Sequence, residues 1–568
     1  MSDTVADPYG NSAQDICEDS RQSRSGVFST LQRLGSYDVA IVAGLAILVF
    51  LAFLTFGSYA ISNDEAVQHR YGQLILDYYR SGLTDLSVFK FENLYLYGGL
   101  FDIVAVLLAK IVPIDAYDLR HIMCALIGIS GIGATAATAR LIAGPRAGFL
   151  AGVSLTLCGA WYGGMFNHTK DIPLAAAMAG ATYFLVRLAR DLPRPRTAHI
   201  FAFGLLTGAA LGIRVLALLL PIYASFAILL HVPRPIAGQM RERVRFVLRS
   251  GVAFLPALLI AYLIMIVAWP WSALAPLNPI RGLLDFSEFQ YHIRTLLAGQ
   301  VYEMASVPRL YVPIYILIRV PLLTLIGAGL ALIFMFLPRR LAHTGAAQAS
   351  RPEVAIIALA VAFPLACQVI CHGPAFTGMR HFLFVIPSIA VLAGIGLHLS
   401  VSALEHQRRV FAAGALAFVA AWYGWNLSLL FELHPYEYLY YNRVVGGLPG
   451  ASGRYATDYW VNIMPAAVAE LEEYLARTEH AEVVRSPHKY TVAVCGERLA
   501  FEKRPHQKLQ WIRMQQWERA DFFIAPTHMN CDRILGGKEI VTIKRLGVTI
   551  GVVKDRRALT RPAIASAP

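Results

Sequence analysis

Charge is what this sequence has least of. Only 15% of its 568 residues are Asp, Glu, Lys or Arg, where a soluble protein carries about 25%. With 56% hydrophobic residues and a mean hydropathy of +0.51, that scarcity excludes the disordered, collagenous and disulfide-scaffold classes and points to a membrane protein. Cysteine is sparse too. The seven (17, 124, 158, 367, 371, 495 and 531) form no Cys-x-x-Cys or zinc spacing, so no disulfide framework is expected. Four lie in apolar stretches, where Cys behaves as a small hydrophobe. There is no internal repeat, which counts against a transporter, since many transporters are built from inverted repeats. No Gly-rich loop stands between a strand-like and a helix-like segment, so no nucleotide fingerprint is present.

The charge that remains is unevenly spread. Residues 431–568 hold 34 charged positions out of 138, twice the density of the first 430. A soluble domain therefore follows a membrane body. The net charge of +13 is no nucleic-acid signal: most of the excess sits in short Arg-rich loops, which membrane topology explains. Residues 1–37 are polar and expected to be disordered and cytoplasmic. Val39–Ile61 is uncharged, long enough to cross about 30 Å of hydrocarbon and too long for a cleaved signal peptide, so it reads as a signal anchor. Ten further segments follow, near 120–139, 147–166, 172–188, 198–213, 215–231, 250–269, 310–337, 353–371, 381–399 and 410–430.

Leu96–Pro113 is apolar but carries Asp102 and Lys110. If it lies in the membrane plane, the clusters Arg140/Arg146, Arg187/Arg190/Arg194/Arg196, Arg234/Arg241/Arg243/Arg245/Arg249, Arg339/Arg340 and Arg408/Arg409 all share the cytoplasmic side. Eleven spans then make a polytopic α-helical body over 38–430, with a first external loop at 63–119. The tail, 431–568, is extracytoplasmic. A helix at Pro465–Ala476 and β-like runs at Tyr490–Cys495, Asp521–Ala525, Ile540–Lys544 and Val548–Lys554 predict a small α/β domain there.

Polar residues gather at the external span mouths. Ser62-Asn63-Asp64-Glu65-Ala66-Val67-Gln68-His69-Arg70 opens the first loop, and two adjacent carboxylates there suit removal of a proton from a hydroxyl. Ser62-x-x-Glu65 equally fits a capping box, with Asp64 favouring the helix dipole. Glu65 and His69, four apart, could hold a divalent metal, but no third ligand is visible and none is predicted. Asn167-His168-Thr169-Lys170-Asp171-Ile172-Pro173 is in part a helix entry with Pro in its first turn. That does not account for Asn167, His168 and Lys170 beside it. Arg214 lies inside an apolar stretch, Ala198–Leu230, where a charge is costly and normally faces a cavity. Arg380 and His381 stand at another external mouth, where a cation suits a phosphate or simply snorkels. The aromatic run from His434 to Asn442, continuing to Asp458-Tyr459-Trp460, reads as an interface belt.

Asp64-Glu65, Lys170-Asp171-Ile172-Pro173, Gly212-x-Arg214, Gly378-x-Arg380-His381 and the run Asn442, Gly446, Gly447, Asp458, Tyr459, Trp460 together resemble the GT-C glycosyltransferases of the protein O-mannosyltransferase and aminoarabinose-transferase type. The resemblance covers most of Val39–Trp460. The His-Pro-Pro-Leu-Gly-Lys-like stretch and β-trefoil insertion of the mannosyltransferases are missing, which points away from protein mannosylation. The resemblance implies a polyprenyl-phosphate sugar as donor and, as acceptor, a hydroxyl of a lipid, glycan or protein. It implies inverting transfer on the outer face of the inner (cell) membrane. Asp64 is the expected base, with Glu65 and Asp171 as further catalytic acids. Lys170, Arg214, Arg380 and His381 are expected at the donor phosphate, and His69, Asn167 and His168 in the acceptor pocket. No cofactor is certain, a divalent metal being possible but not predicted, and no nucleic-acid partner is expected. The alternative is a transporter or flippase of lipid-linked sugars, and more remotely a membrane anchor presenting the tail as a binding module.

Overall fold

The computed structural model describes residues 35–233, 239–288, 292–337, 350–478, 489–504 and 506–560. Residues 1–34, Arg234 and Arg339/Arg340, to which the sequence assigned a disordered terminus and cytoplasmic charges, lie outside them.

The body is a helical bundle. In chain order its main helices are α1 (Ser36–Thr55), α2 (Glu65–Arg80), α3 (Leu100–Leu108), α4 (Ala116–Ala143), α5 (Pro145–Thr156), α6 (Asp171–Arg190), α7 (Thr197–Leu211), α8 (Leu219–Leu230), α9 (Met240–Ala268), α10 (Asn278–Glu288), α11 (Tyr311–Arg319), α12 (Leu322–Phe336), α13 (Arg351–Cys371), α14 (Ile386–Gln407) and α15 (Arg409–Leu433). Every expected span is helical, but they are not eleven equal crossings. Seven helices are long and apolar enough to span alone. The segments expected at 147–166 and 310–337 are each broken in two, by bends of 67° and 113°. Cys158 and Pro321 sit at those breaks, and Pro321 cannot supply the N–H that a continuing helix needs. Helices α7 and α8 are shorter. Helix α3 has nine residues, about 14 Å, too short to cross.

Burial sorts the helices. Only 11% of the apolar window of α1 is buried, against 89% for the Arg380–Gln407 helix that contains α14, so α1 faces lipid and α14 is the bundle's axis. Small residues allow this: a Cβ added at Gly396 would lie 1.9 Å from Gly327 O of α12, and such close backbone approach is how membrane helices pack.

One end of the bundle is tied by ion pairs. Arg140 of α4 meets Asp38 of α1 (2.5 Å), Arg190 of α6 meets Glu353 of α13 (2.6 Å), and Arg146 of α5 meets Glu405 of α14 (2.5 Å). The helix ends that carry these arginines therefore lie together, at the end where α1 begins.

Beyond α15, residues 434–463 fold back over the opposite end before α16 (Met464–Thr478) and a five-stranded sheet. The strands beyond α16 are β3 (Tyr490–Val494), β4 (Leu509–Trp511), β5 (Phe522–Pro526), β6 (Lys538–Arg545) and β7 (Val548–Asp555); β1 (Arg294–Leu297) and β2 (Gln300–Glu303) form a separate hairpin. Sheet order is β4-β3-β5-β7-β6, with β3 parallel to β4 and β5. Strands β6 and β7 turn through Leu546 and Gly547, both at positive φ, as a two-residue hairpin with right-handed twist requires. The short edge strand β4 and the β1–β2 hairpin were not expected; each strand is only three or four residues long. A further correction concerns Cys495 and Cys531, which are joined by a disulfide. They lie 36 residues apart, and spacing alone cannot report such a pair. The tail is fastened to the body by Lys503, which reaches Asp118 (2.5 Å) and Tyr59 O (3.3 Å), while Arg545 donates to His434 O and ties the sheet to the segment that leaves α15.

Candidate active site

At the end opposite the ion-paired one, four chain segments converge on Asp171. This residue opens α6 and is 3% exposed. Arg380 donates from Nε to its Oδ2 (3.1 Å), and Arg214 lies 2.9 Å from its Oδ1. Arg380 also bonds Asp64, so the guanidinium joins the first external loop to α6. The Trp460 ring lies beneath Arg380, 4.4 Å away.

Arg214 is placed by backbone. Gly98 N donates to Ile213 O and Leu100 N to Gly212 O, pinning the in-plane segment against the α7–α8 turn. A Cβ at Gly98 would lie 2.1 Å from Gly212 O; only glycine permits the contact. Tyr97 thereby sits under two cations, Lys170 at 4.3 Å and Arg214 at 5.6 Å. Lys170 is 7% exposed and has no carboxylate partner among the described residues. Burial, reinforced by Arg214 and Arg380 and opposed by Asp102 and Asp64, lowers its pKa to about 8.

The adjacent carboxylates behave differently. Asp64 stands at the start of α2 without capping it, its side chain 40% exposed, and uses Oδ2 on Arg380. Glu65 is fully buried; it accepts from Ser62 N (2.7 Å) and pairs with His121 (3.1 Å). That is half of the capping box, because the Ser62 hydroxyl instead reaches Asn167 O. Glu65 thus lies outside the Asp64–Arg380–Asp171 chain. His69 packs against Tyr117 at 5.7 Å, and no group of three or more His, Cys, Asp or Glu among the described residues is arranged to hold a metal. His381 packs edge-on to Phe376 at 4.6 Å. Asn167 is buried with both side-chain polar atoms unpartnered. His168 Nε2 lies 3.1 Å from Tyr459 OH, and burial lowers its pKa to about 3, so its ring is neutral.

The aromatic run after the last span is no interface belt. Tyr438 is fully buried and Trp460 is 3% exposed, because 434–463 folds inward over the site. Also missed in the sequence is a buried network beside Lys170: Arg120 donates to Asp102 (2.7 Å), Gln68 (3.2 Å) and Thr169 (3.2 Å). Burial raises the Asp102 pKa against the opposing pull of Arg120. Arg319 was missed as well. Its signal was the one that exposed Arg214, a lone charge in an apolar run.

No family model matches the chain, and no curated protein matches it in sequence. Among solved structures it is similar to ArnT from Cupriavidus metallidurans bound to undecaprenyl phosphate, at 14% identity over 91% of this chain and 97% of that one, TM-score 0.45. It is also similar to the Archaeoglobus fulgidus oligosaccharyltransferase in the apo form (13%, covering 86% and 69%, TM-score 0.44) and to the arabinofuranosyltransferase AftD from Mycobacteria (12%, covering 90% and 40%, TM-score 0.40).

Proposed function

We propose that the chain is a membrane glycosyltransferase that moves a sugar from a polyprenyl phosphate to an acceptor hydroxyl on the extracytoplasmic face. The observation that carries this reading is the unequal sharing of charge at the site. Asp171 is held by two guanidiniums and Asp64 by one, while Lys170 has no carboxylate partner among the described residues. Lys170 is therefore open to an anionic phosphate, with Arg214 beside it over the same Tyr97 ring.

Asp64, half open and with Oδ1 unbonded among the described residues, takes the proton of the acceptor hydroxyl. The hydroxyl oxygen attacks the anomeric carbon opposite the phosphate. The bond between that carbon and the phosphate oxygen breaks, its electron pair leaves on the polyprenyl phosphate, and the configuration inverts. Asp171 holds Arg380 and Arg214 in place and is too tightly paired to act as base. The sidedness is supported by two features. A structural disulfide in the tail suits an oxidising compartment, and the Arg-rich end where α1 begins suits the cytoplasm.

The test compares membranes carrying wild type and Asp64→Asn, supplied with labelled polyprenyl-phosphate sugars. Wild type is expected to release sugar into an acceptor-linked product, and the variant to bind donor without turning it over. A transporter needs no proton acceptor, so Asp64→Asn that still moves labelled lipid across the bilayer, in a chain with no transfer activity, would overturn the reading.

A further inference from the structure

Four buried side chains from four parts of the chain meet beside Lys170, and the transfer step above uses none of them. Arg120 of α4 donates from one terminal nitrogen to Asp102 of α3 (2.7 Å), Gln68 of α2 (3.2 Å) and Thr169 (3.2 Å), and the Thr169 hydroxyl donates to Gln68 (2.6 Å). The Arg120 guanidinium also lies 5.1 Å over the Phe101 ring. None of the four is more than 3% exposed. Stability alone does not account for them, because apolar side chains of similar volume often serve as well as a buried ion pair, or better. What the group supplies is a fixed negative charge and a fixed hydroxyl, both beside a lysine with no carboxylate partner among the described residues.

Charges from four elements face the Lys170 ammonium, with the Tyr97 ring against it. Arg214 from the α7–α8 turn and Arg380 from the segment before α14 favour its neutral form, as burial does. Asp102 and Asp64 oppose them, Asp102 more strongly. Asp64 is paired with Arg380 and its side chain is 40% exposed, so water and that partner blunt its field. Asp102 is buried, where a charge acts more strongly on its neighbours. Arg120 forms no other ion pair among the described residues, so an ionised Asp102 is what compensates it. Thr169 precedes Lys170 in the chain, and its bond to Arg120 fixes the point from which the lysine reaches Tyr97.

We propose that Asp102 is a positioning residue for the donor phosphate: its charge, held in place by Arg120, keeps Lys170 cationic, while the bond from Arg120 to Thr169 keeps Lys170 over Tyr97. The proposal rests on the transferase reading above, in which Lys170 receives the phosphate. Asp102 itself repels an anion. It is useful because a lysine already lowered to about 8 would without it lose its proton at still lower pH.

The test uses the full chain in lipid nanodiscs, with farnesyl phosphate as the probe and binding read by calorimetry from pH 6 to pH 9. Wild-type affinity is expected to fall as pH rises through about 8. In Asp102→Asn the fall should begin about one pH unit lower, leaving binding about fivefold weaker than wild type at pH 8. At pH 6 the lysine is charged in both, and the variant should bind as well as wild type or better, because a negative charge near the phosphate is gone. A merely damaged site would weaken binding at both values. Thr169→Val keeps every charge and cuts the hydroxyl bonds; it should weaken binding about threefold to tenfold at every pH and leave the midpoint of the fall in place. Should Asp102→Asn not fold, Thr169→Val decides. The proposal is overturned if folded Asp102→Asn keeps the wild-type midpoint, if it still imposes a pH-dependent loss in a Lys170→Arg background, or if folded Thr169→Val binds as wild type does. A wild type whose affinity does not fall with pH would take Lys170 from the phosphate and this proposal with it. Variants that behave as expected, in a chain that transfers sugar from no lipid donor, would sink the transferase reading alone.

Discussion

Both ends of the bundle are built from arginine and carboxylate, but they share them differently. Where α1 begins, three arginines each have their own acid: Arg140 with Asp38, Arg190 with Glu353, Arg146 with Glu405. The arginine side chains there are 48%, 37% and 13% exposed. At the other end Asp171 serves two arginines, Arg380 serves two acids, and Lys170 and Arg319 have no carboxylate among the described residues. Pairs that close on themselves hold helix ends together and have nothing left for a ligand. A chain of shared charges that ends in unpaired cations leaves positive charge uncompensated.

The sharpest way to break this contrast is Asp171→Ala. It leaves Arg214 and Arg380 buried with less than their charge compensated, and breaking a buried pair from one side costs about 3–5 kcal/mol. Transfer activity should be lost and the thermal midpoint in nanodiscs should drop; an unchanged midpoint would show that the cluster is looser than its geometry.

Lys170 sharpens the comparison through pH. A lysine whose pKa is lowered to about 8 is charged below that pH and neutral above it, so donor affinity should fall as pH rises through about 8. The decline should approach tenfold per pH unit, and Lys170→Arg should flatten it by keeping the charge. A wild-type profile flat to pH 10 would remove Lys170 from phosphate binding. The same lowering carries a stability consequence of opposite sign. A folded-state pKa below the ordinary lysine value means that burial of the charged form opposes folding, so the unliganded chain gains stability as pH rises from about 8 toward 10.5.

At the paired end the effects should shrink. Glu353→Gln removes the counter-charge of Arg190 from a nearly buried site and should lower stability by about 1–3 kcal/mol, with transfer unchanged. Glu405→Gln, at a carboxylate 40% exposed, should cost less than about 1 kcal/mol. Loss of transfer in either variant would mean that the two ends are coupled along α6 or α14.

Much of the site was legible in the sequence because lipid makes charge conspicuous. Asp64, Lys170, Asp171, Arg214 and Arg380 stood out as polar residues at span mouths, and the structure brings all five together. Their roles in chemistry remain for the Asp64 and Lys170 experiments. Neighbours in sequence told less. Asp64 and Glu65 are adjacent, yet successive helix positions face different ways, so one reaches Arg380 and the other turns inward to His121. Arg319 hid for another reason. It is the last residue before a break, and only the 113° bend shows that its apolar run is two helices with a cleft beside their junction.

By itself, the sequence determined that this is a polytopic helical chain with a small α/β tail and which face gathers the polar residues. These follow from the length and charge of each segment against the thickness of a bilayer. The tertiary structure alone decided which cations are paired, that residues 434–463 roof the site, and that Cys495 meets Cys531. Pairing depends on which helix ends meet across hundreds of residues, and no local pattern records that distance.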